Sequence, residues 1–143
     1  MNGVPTGRSS YKILVAEDSA PDVGLVRMAL AEQNVDCDLV VIADGARVIS
    51  YIETIDSDPQ HPPLDLVLLD MHLPKHGGDD ILTSLRATER YAQTPVIVMT
   101  ASDSPEDHAN AERHAALHYF RKPLNLAEFM QLGVIVKEIL ESR

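Results

Sequence analysis

Side chains able to do chemistry stand where the apolar runs of this 143-residue chain stop. Glu17 and Asp18 follow YKILVA, Asp70 follows LDLVLL, Thr100 closes TPVIVMT, and Lys122 follows LHYFR with Pro123 behind it. An acid at the end of a strand bound for a core is costly to bury unless something pairs with it. If the first and third apolar runs lie side by side, Asp18 and Asp70 face one another and repel. A hard divalent cation answers that repulsion. Mg²⁺ suits the donors because it takes one or two carboxylates and keeps waters that a phosphate can displace. Lys122 would then supply fixed positive charge and Thr100 a hydroxyl, both fitted to the equatorial oxygens of a phosphoryl group. In that setting Asp70 is a nucleophile held in line with an incoming phosphorus.

The elements that must position these groups alternate along the chain. Strands are expected at YKILVA, CDLVVIA, LDLVLL, TPVIVMTA and LHYFRK. Between and after them lie helical patterns: APDVGLVRMALAEQN, DGARVISYIETI, DDILTSLRATER, SPEDHANAERHAA and one long closing helix, NLAEFMQLGVIVKEILES. Pro21 and Asp22 suit a helix first turn, and Ser104 with Pro105 reads as a cap and first position. No Asn-Gly hairpin turn joins neighbouring strands, so the pattern implies an α/β, doubly wound five-stranded parallel sheet with helices on both faces. In such a sheet, functional residues collect outside the carboxyl ends of the strands, where the strand order reverses. Residues 1–10, MNGVPTGRSS, read as a flexible lead-in, and residues 11–143 as one domain.

Composition narrows the partners. Twenty-two acids against twelve bases give a net charge of -10, which argues against direct nucleic-acid binding and against attraction to anionic membrane. No run is long enough to span a bilayer. The lone Cys37 excludes an internal disulfide and fits a reducing compartment, so a cytoplasmic location is expected.

ILVAEDSAPD, LVLLDMHLPKHGG, PVIVMTA and YFRKPL together resemble the response-regulator receiver domain of two-component signalling. Within that family, EDSAPDVGLV, LPKHGG and the YFRKPLNLAEFM segment are most similar to stand-alone regulators paired with bacterial phytochromes. The resemblance implies a flavodoxin-like (βα)5 fold with strand order 2-1-3-4-5. It makes Asp70 the phosphoacceptor, Asp18 a direct Mg²⁺ ligand and Glu17 a ligand through water. The main-chain carbonyl of His72 would complete the protein's ligands. Thr100 and Tyr119 would be the switch pair, and Lys122–Pro123 a cis peptide. The implied partner is a sensor histidine kinase, by the same resemblance a bacteriophytochrome. The only chemistry would be self-phosphorylation from a donor and self-dephosphorylation, not enzymatic turnover. Three positions depart from the family pattern: His72 and Gly77 stand where other residues are usual, and HAALHY lacks the usual glycine.

Blander and rival readings exist. Glu17 and Asp18 could merely open a helix, and Asp70 could merely start a loop. A haloacid-dehalogenase-like phosphatase also uses a strand-end Asp with Mg²⁺. It would carry a second acid where His72 stands and place its nucleophile after the first strand. A flavodoxin-like carrier would need a Ser/Thr-rich phosphate loop where AEDSAPD lies. A degenerate receiver acting as a binding module would have lost part of the acid, Thr and Lys set, and none is missing. His72/His76 and His114/His118 are four apart, but without cysteine ligands they read as solvent-facing rather than as zinc ligands. On the closing helix Phe129, Leu132, Val136, Ile139 and Leu140 form a core stripe. Met130 and Val134 fall off that stripe, which suggests a two-fold homodimer through the face of the fourth helix, fifth strand and closing helix.

Overall fold

The computed structural model describes residues 10–142; all but the last residue of the expected lead-in lie outside the described residues. The strands are β1 (Tyr11–Ala16), β2 (Cys37–Ile42), β3 (Leu66–Leu69), β4 (Val96–Thr100) and β5 (His118–Arg121). They form one parallel sheet, as the alternation of elements implies, in the order β2-β1-β3-β4-β5 that the family resemblance implies. Strand order reverses between β1 and β3, and that is where the crevice opens.

Both faces of the sheet are dry because successive strand residues point to opposite sides. Leu14, Ala16, Val67, Leu69, Val96 and Val98 pack on one face beneath α2 (Gly45–Asp56) and α3 (Gly78–Ala87). Ile13, Val15, Leu66, Leu68, Ile97 and Met99 pack on the other beneath α1 (Ala20–Glu32) and the closing helix. The helices start where their caps dictate. Ser19 accepts from Asp22 N, Asp44 from Arg47 N, and Ser104 from Asp107 N at the head of α4 (Pro105–Arg113). Each cap satisfies one of the amide donors that a helix start leaves open.

The closing segment departs from expectation. It is not one helix but a short turn, α5 (Leu126–Phe129), and a longer α6 (Gln131–Glu141), joined at Met130. The join turns Met130 inward, where it is buried with Phe129 and Leu132. A wheel drawn through a straight helix therefore misplaces it, and the apolar surface pair with Val134 does not exist. Farther along, Gly133 lets α6 lie directly on α1. A Cβ there would sit 2.1 Å from the Ala29 carbonyl oxygen.

The fourth helix is held differently from the others. Its buried residues are Asp107 and Ala111, so a single methyl group is its apolar anchor. Polar contacts do the rest: Arg113 Nη2 and His114 Nε2 both donate to Asp79 Oδ1 of α3, at 2.5 and 2.8 Å.

Candidate functional site

The register of the two central strands builds the site. Ala16 pairs with Leu69, and Asp70 N donates to Ala16 O, so Glu17 and Asp70 leave the sheet side by side. Oxygens of Glu17, Asp18 and Asp70 all lie within 4.8 Å of one another. Glu17 and Asp70 are buried while Asp18 is exposed. The loop after Asp70 doubles back under backbone control: His72 N donates to Asp70 Oδ1 at 2.9 Å, and Gly78 N donates to Met71 O. That loop rests on the start of α2, where Gly45 N donates to Pro74 O and a Cβ on Gly45 would overlap the His76 carbonyl.

Lys122 reaches the same point from the end of β5, whose path is fixed by Lys122 N donating to Thr100 O. Its ammonium stands 2.7 Å from Glu17 Oε1, 2.8 Å from Asp22 Oδ2 and 3.2 Å from Asp70 Oδ2. The contact with Glu17 is an ion pair rather than an aligned hydrogen bond, so Oε1 is buried without a well-directed donor. Burial works against the Lys122 charge, yet Asp22, Glu17 and Asp70 together hold its pKa above the usual lysine value. The carboxylates bear the cost. Burial, helped by the charge of Asp70, pushes the Glu17 carboxyl up to about 7 against the pull of Lys122 and the Ser19 N–H.

One ammonium thus answers four carboxylates, Glu17, Asp18, Asp22 and Asp70. The surplus negative charge, the all-oxygen donor set and the undirected Glu17 oxygen fit a hard divalent ion such as Mg²⁺. The two histidine pairs behave otherwise. His72 contacts Asp107, His76 contacts Asp80 and His114 contacts Asp79, so neither pair gathers ligands for zinc. Glu17, Asp18 and Asp70 are the group fit to hold a metal among the described residues.

The expected switch residues lie on the neighbouring edge. Thr100 is buried, its Oγ1 accepting from Ser102 N at 3.3 Å. Tyr119 donates its hydroxyl to Ser102 O at 2.8 Å, and its ring stacks on His108 of α4 with centroids 3.7 Å apart. The Lys122–Pro123 bond is trans, against the cis peptide implied by resemblance. For an X–Pro bond trans is the favoured form by roughly 0.5–1 kcal/mol, and the lysine reaches its three partners without paying that difference.

Sequence reasoning missed two participants. Asp22 and Asp107 both read as ordinary first-turn acids that complement a helix dipole. The signal for Asp22 was its place in the first turn of α1, directly after the Ser19 cap that follows Glu17 and Asp18, which keeps it at the same end of the sheet. Asp107 carried no local signal, because its partner His72 is 35 residues away.

The model of the response regulator receiver domain family matches residues 13–132. The response regulator Rcp1 of Synechocystis is 30% identical over 121 residues, 84% of this chain and 82% of that protein. The crystal structure of the phosphorylated cyanobacterial phytochrome response regulator RcpA superposes with a TM-score of 0.82 at 27% identity, over 94% of this chain and 96% of that one. The Mn²⁺-bound form of Rcp1 gives 0.81 at 27% identity, over 93% and 96%. With the sheet order, the acidic crevice and the strand-end lysine in place, the chain belongs to the response regulator receiver domain family.

Proposed function

We propose that Asp70 is the phosphoacceptor of this receiver and takes its phosphoryl group from the phosphohistidine of a sensor kinase. An Asp70 carboxylate oxygen bonds to phosphorus as the nitrogen–phosphorus bond of a donor protonated on its other ring nitrogen breaks; the bonding pair stays on nitrogen, leaving an acyl phosphate on Asp70 and a neutral imidazole on the kinase. The observation that carries the reading is Lys122 poised 3.2 Å from Asp70 Oδ2, with Glu17 and Asp22 holding it there. A fixed ammonium at that point offsets charge on the transferred group without reorganising during the reaction. Mg²⁺, when bound by Asp18 and Asp70 directly, by Glu17 through water and by the His72 carbonyl, would neutralise donor and acceptor together.

Thr100 and Tyr119 form the outward path of this reading. A phosphoryl group on Asp70 offers the Thr100 hydroxyl a new acceptor, and a shift of Thr100 would free space for the Tyr119 ring to leave His108 and turn inward. The altered surface of α4, β5 and α6 is then what a partner reads. The resemblance to Rcp1 and RcpA supports a phytochrome-type kinase as the phosphodonor, and the lone Cys37 supports a cytoplasmic setting. A homodimer through the α4-β5-α6 face belongs to the same reading. With Met130 buried, its support reduces to the exposed Leu117 and the half-buried Val134.

The test is intact mass after incubation with acetyl phosphate and Mg²⁺. Wild type should gain one phosphoryl group and Asp70→Asn none, because an amide is no nucleophile for this step. An undiminished adduct on the variant would place the chemistry elsewhere.

A further inference from the structure

His72 sits two residues past the acceptor, and its ring does not hang free. Its Nε2 lies 2.5 Å from Asp107 Oδ2, across the gap between the β3–α3 loop and the first turn of α4. The two partners are unlike: the His72 side chain is 61% exposed, whereas that of Asp107 is 8% exposed. A buried carboxylate is costly unless its hydrogen-bonding capacity is met. Asp107 Oδ2 meets that need at the His72 ring nitrogen, while its own N–H donates to the Ser104 hydroxyl at the head of α4.

The backbone of the same residue serves the acceptor directly, since His72 N donates to Asp70 Oδ1. One residue therefore touches the phosphorylation site with its amide and α4 with its ring. The far partner stands on the helix least committed to the core, with Ala111 as its single buried apolar residue. A helix fastened mainly by polar contacts opens more readily than one anchored by several leucines. The residue after Asp107 is His108, which stacks on Tyr119.

We infer that Asp107 is a positioning residue for the phosphoryl group's loss: by holding the His72 ring at the rim of the acceptor cleft, it makes phosphoryl lifetime depend on where α4 sits. The inference rests on Asp70 being the acceptor. In hydrolysis a water oxygen bonds to phosphorus while the bond from phosphorus to the Asp70 oxygen breaks. Asp70 leaves as the carboxylate with the bonding pair, and the water's protons pass to phosphate and solvent. The incoming water needs a path to phosphorus, and a tethered ring at the rim narrows it. Any partner that draws α4 outward would strain or break the 2.5 Å contact and open that path. Because neighbouring residues hold His72 and Tyr119, the same small rotation of α4 would register at both the reaction and the output surface.

The experiment loads Asp70 with acetyl phosphate and Mg²⁺, removes the donor, and follows loss of the adduct by intact mass. It compares wild type, His72→Ala, Asp107→Ala, the double variant and Asp107→Asn. Each single alanine should shorten the lifetime several-fold, the double should be no shorter than either single, and the asparagine, which keeps an acceptor for the ring, should restore most of it. Non-additivity of this kind reports a shared interaction, and a merely structural role would not produce it. Hydrogen exchange of residues 104–110 in the folded His72→Ala protein gives a second readout. Exchange there should quicken, whether or not Asp107→Ala folds.

A wild type that gains no phosphoryl group removes the premise and the inference with it. A wild type that phosphorylates while the two alanine effects multiply, or leave lifetime unchanged, overturns the tether and leaves the acceptor assignment standing.

Discussion

At the carboxyl end of the sheet Lys122 lies among Glu17, Asp22 and Asp70, whereas at the amino end Arg86 and Arg90 bind main-chain carbonyls. Arg86 spreads its guanidinium over the carbonyls of His114, Ala92, Thr94 and Ala115, tying α3 to the starts of β4 and β5. Arg90 does the same for Ile55 in the last turn of α2 and for Asp58 and His61 in the connection to β3. Carbonyl partners are neither protonated nor phosphorylated under working conditions, so those contacts do not change with either event. Carboxylate partners can be, and a cation shared among them changes its allegiance when one is modified. The same elementary interaction is a clamp at one end and a responsive element at the other.

Substitution of each cation tests the contrast most severely. Lys122→Ala should slow phosphorylation of Asp70 by about 10² or more, as loss of a preorganised charge at a transferring group does, while leaving the fold intact by circular dichroism. Arg86→Ala should do the opposite. Phosphorylation should persist, while urea unfolding should show a loss of about 2–3 kcal/mol from the stranded carbonyls. Arg86→Lys should recover only part of that loss, because a point charge cannot span a fork of acceptors. Equal effects of the alanine variants on both measurements would erase the distinction between the two ends.

Within the carboxyl end, Asp18 and Glu17 should separate. Asp18→Asn should weaken Mg²⁺ binding by about tenfold, and Glu17→Gln should weaken it less, as followed by Mg²⁺ titration. Equal affinities would show that the direct ligand was misassigned. Thr100→Ala should still accept the phosphoryl group yet fail to alter partner binding, measured with and without phosphorylation. A phosphorylated variant that bound like wild type would break the proposed path to Tyr119.

The smallest effect belongs to Asp79, whose pKa is lowered first by the His114 contact and then by Arg113. A lowered carboxyl stabilises the fold above its unfolded pKa and loses that contribution as pH falls through its folded value. The group is largely solvated, so Asp79→Asn should cost less than about 1 kcal/mol near neutrality. In urea unfolding from pH 7 downward, the gap between variant and wild type should close in the acid range. A gap that widened there would reverse the assigned sign.

Much of the site was legible because its residues end apolar runs. LDLVLL had to be a buried strand, so Asp70 had to emerge at its tip, and the alternation of strands and helices put Glu17, Thr100 and Lys122 at the same end. What stayed hidden depended on tertiary geometry. The bend at Met130 is invisible to a helical wheel, and it turns an apparent surface methionine into a core residue. Asp107 becomes distinctive only once α4 folds back to meet the β3–α3 loop. The histidines read as solvated singles, yet His72, His76, His108 and His114 each meet an aspartate.

Gly45 offers a last consequence. It carries no functional group and precedes Asp70 by 25 positions, yet its missing side chain is what lets the His76 carbonyl settle against the head of α2. A saturation screen for loss of signalling should therefore recover almost every substitution at Gly45. A screen for abundance would score the same variants mildly, since the displaced loop is at the surface. To a geneticist such a position looks like an active-site residue with no chemistry of its own.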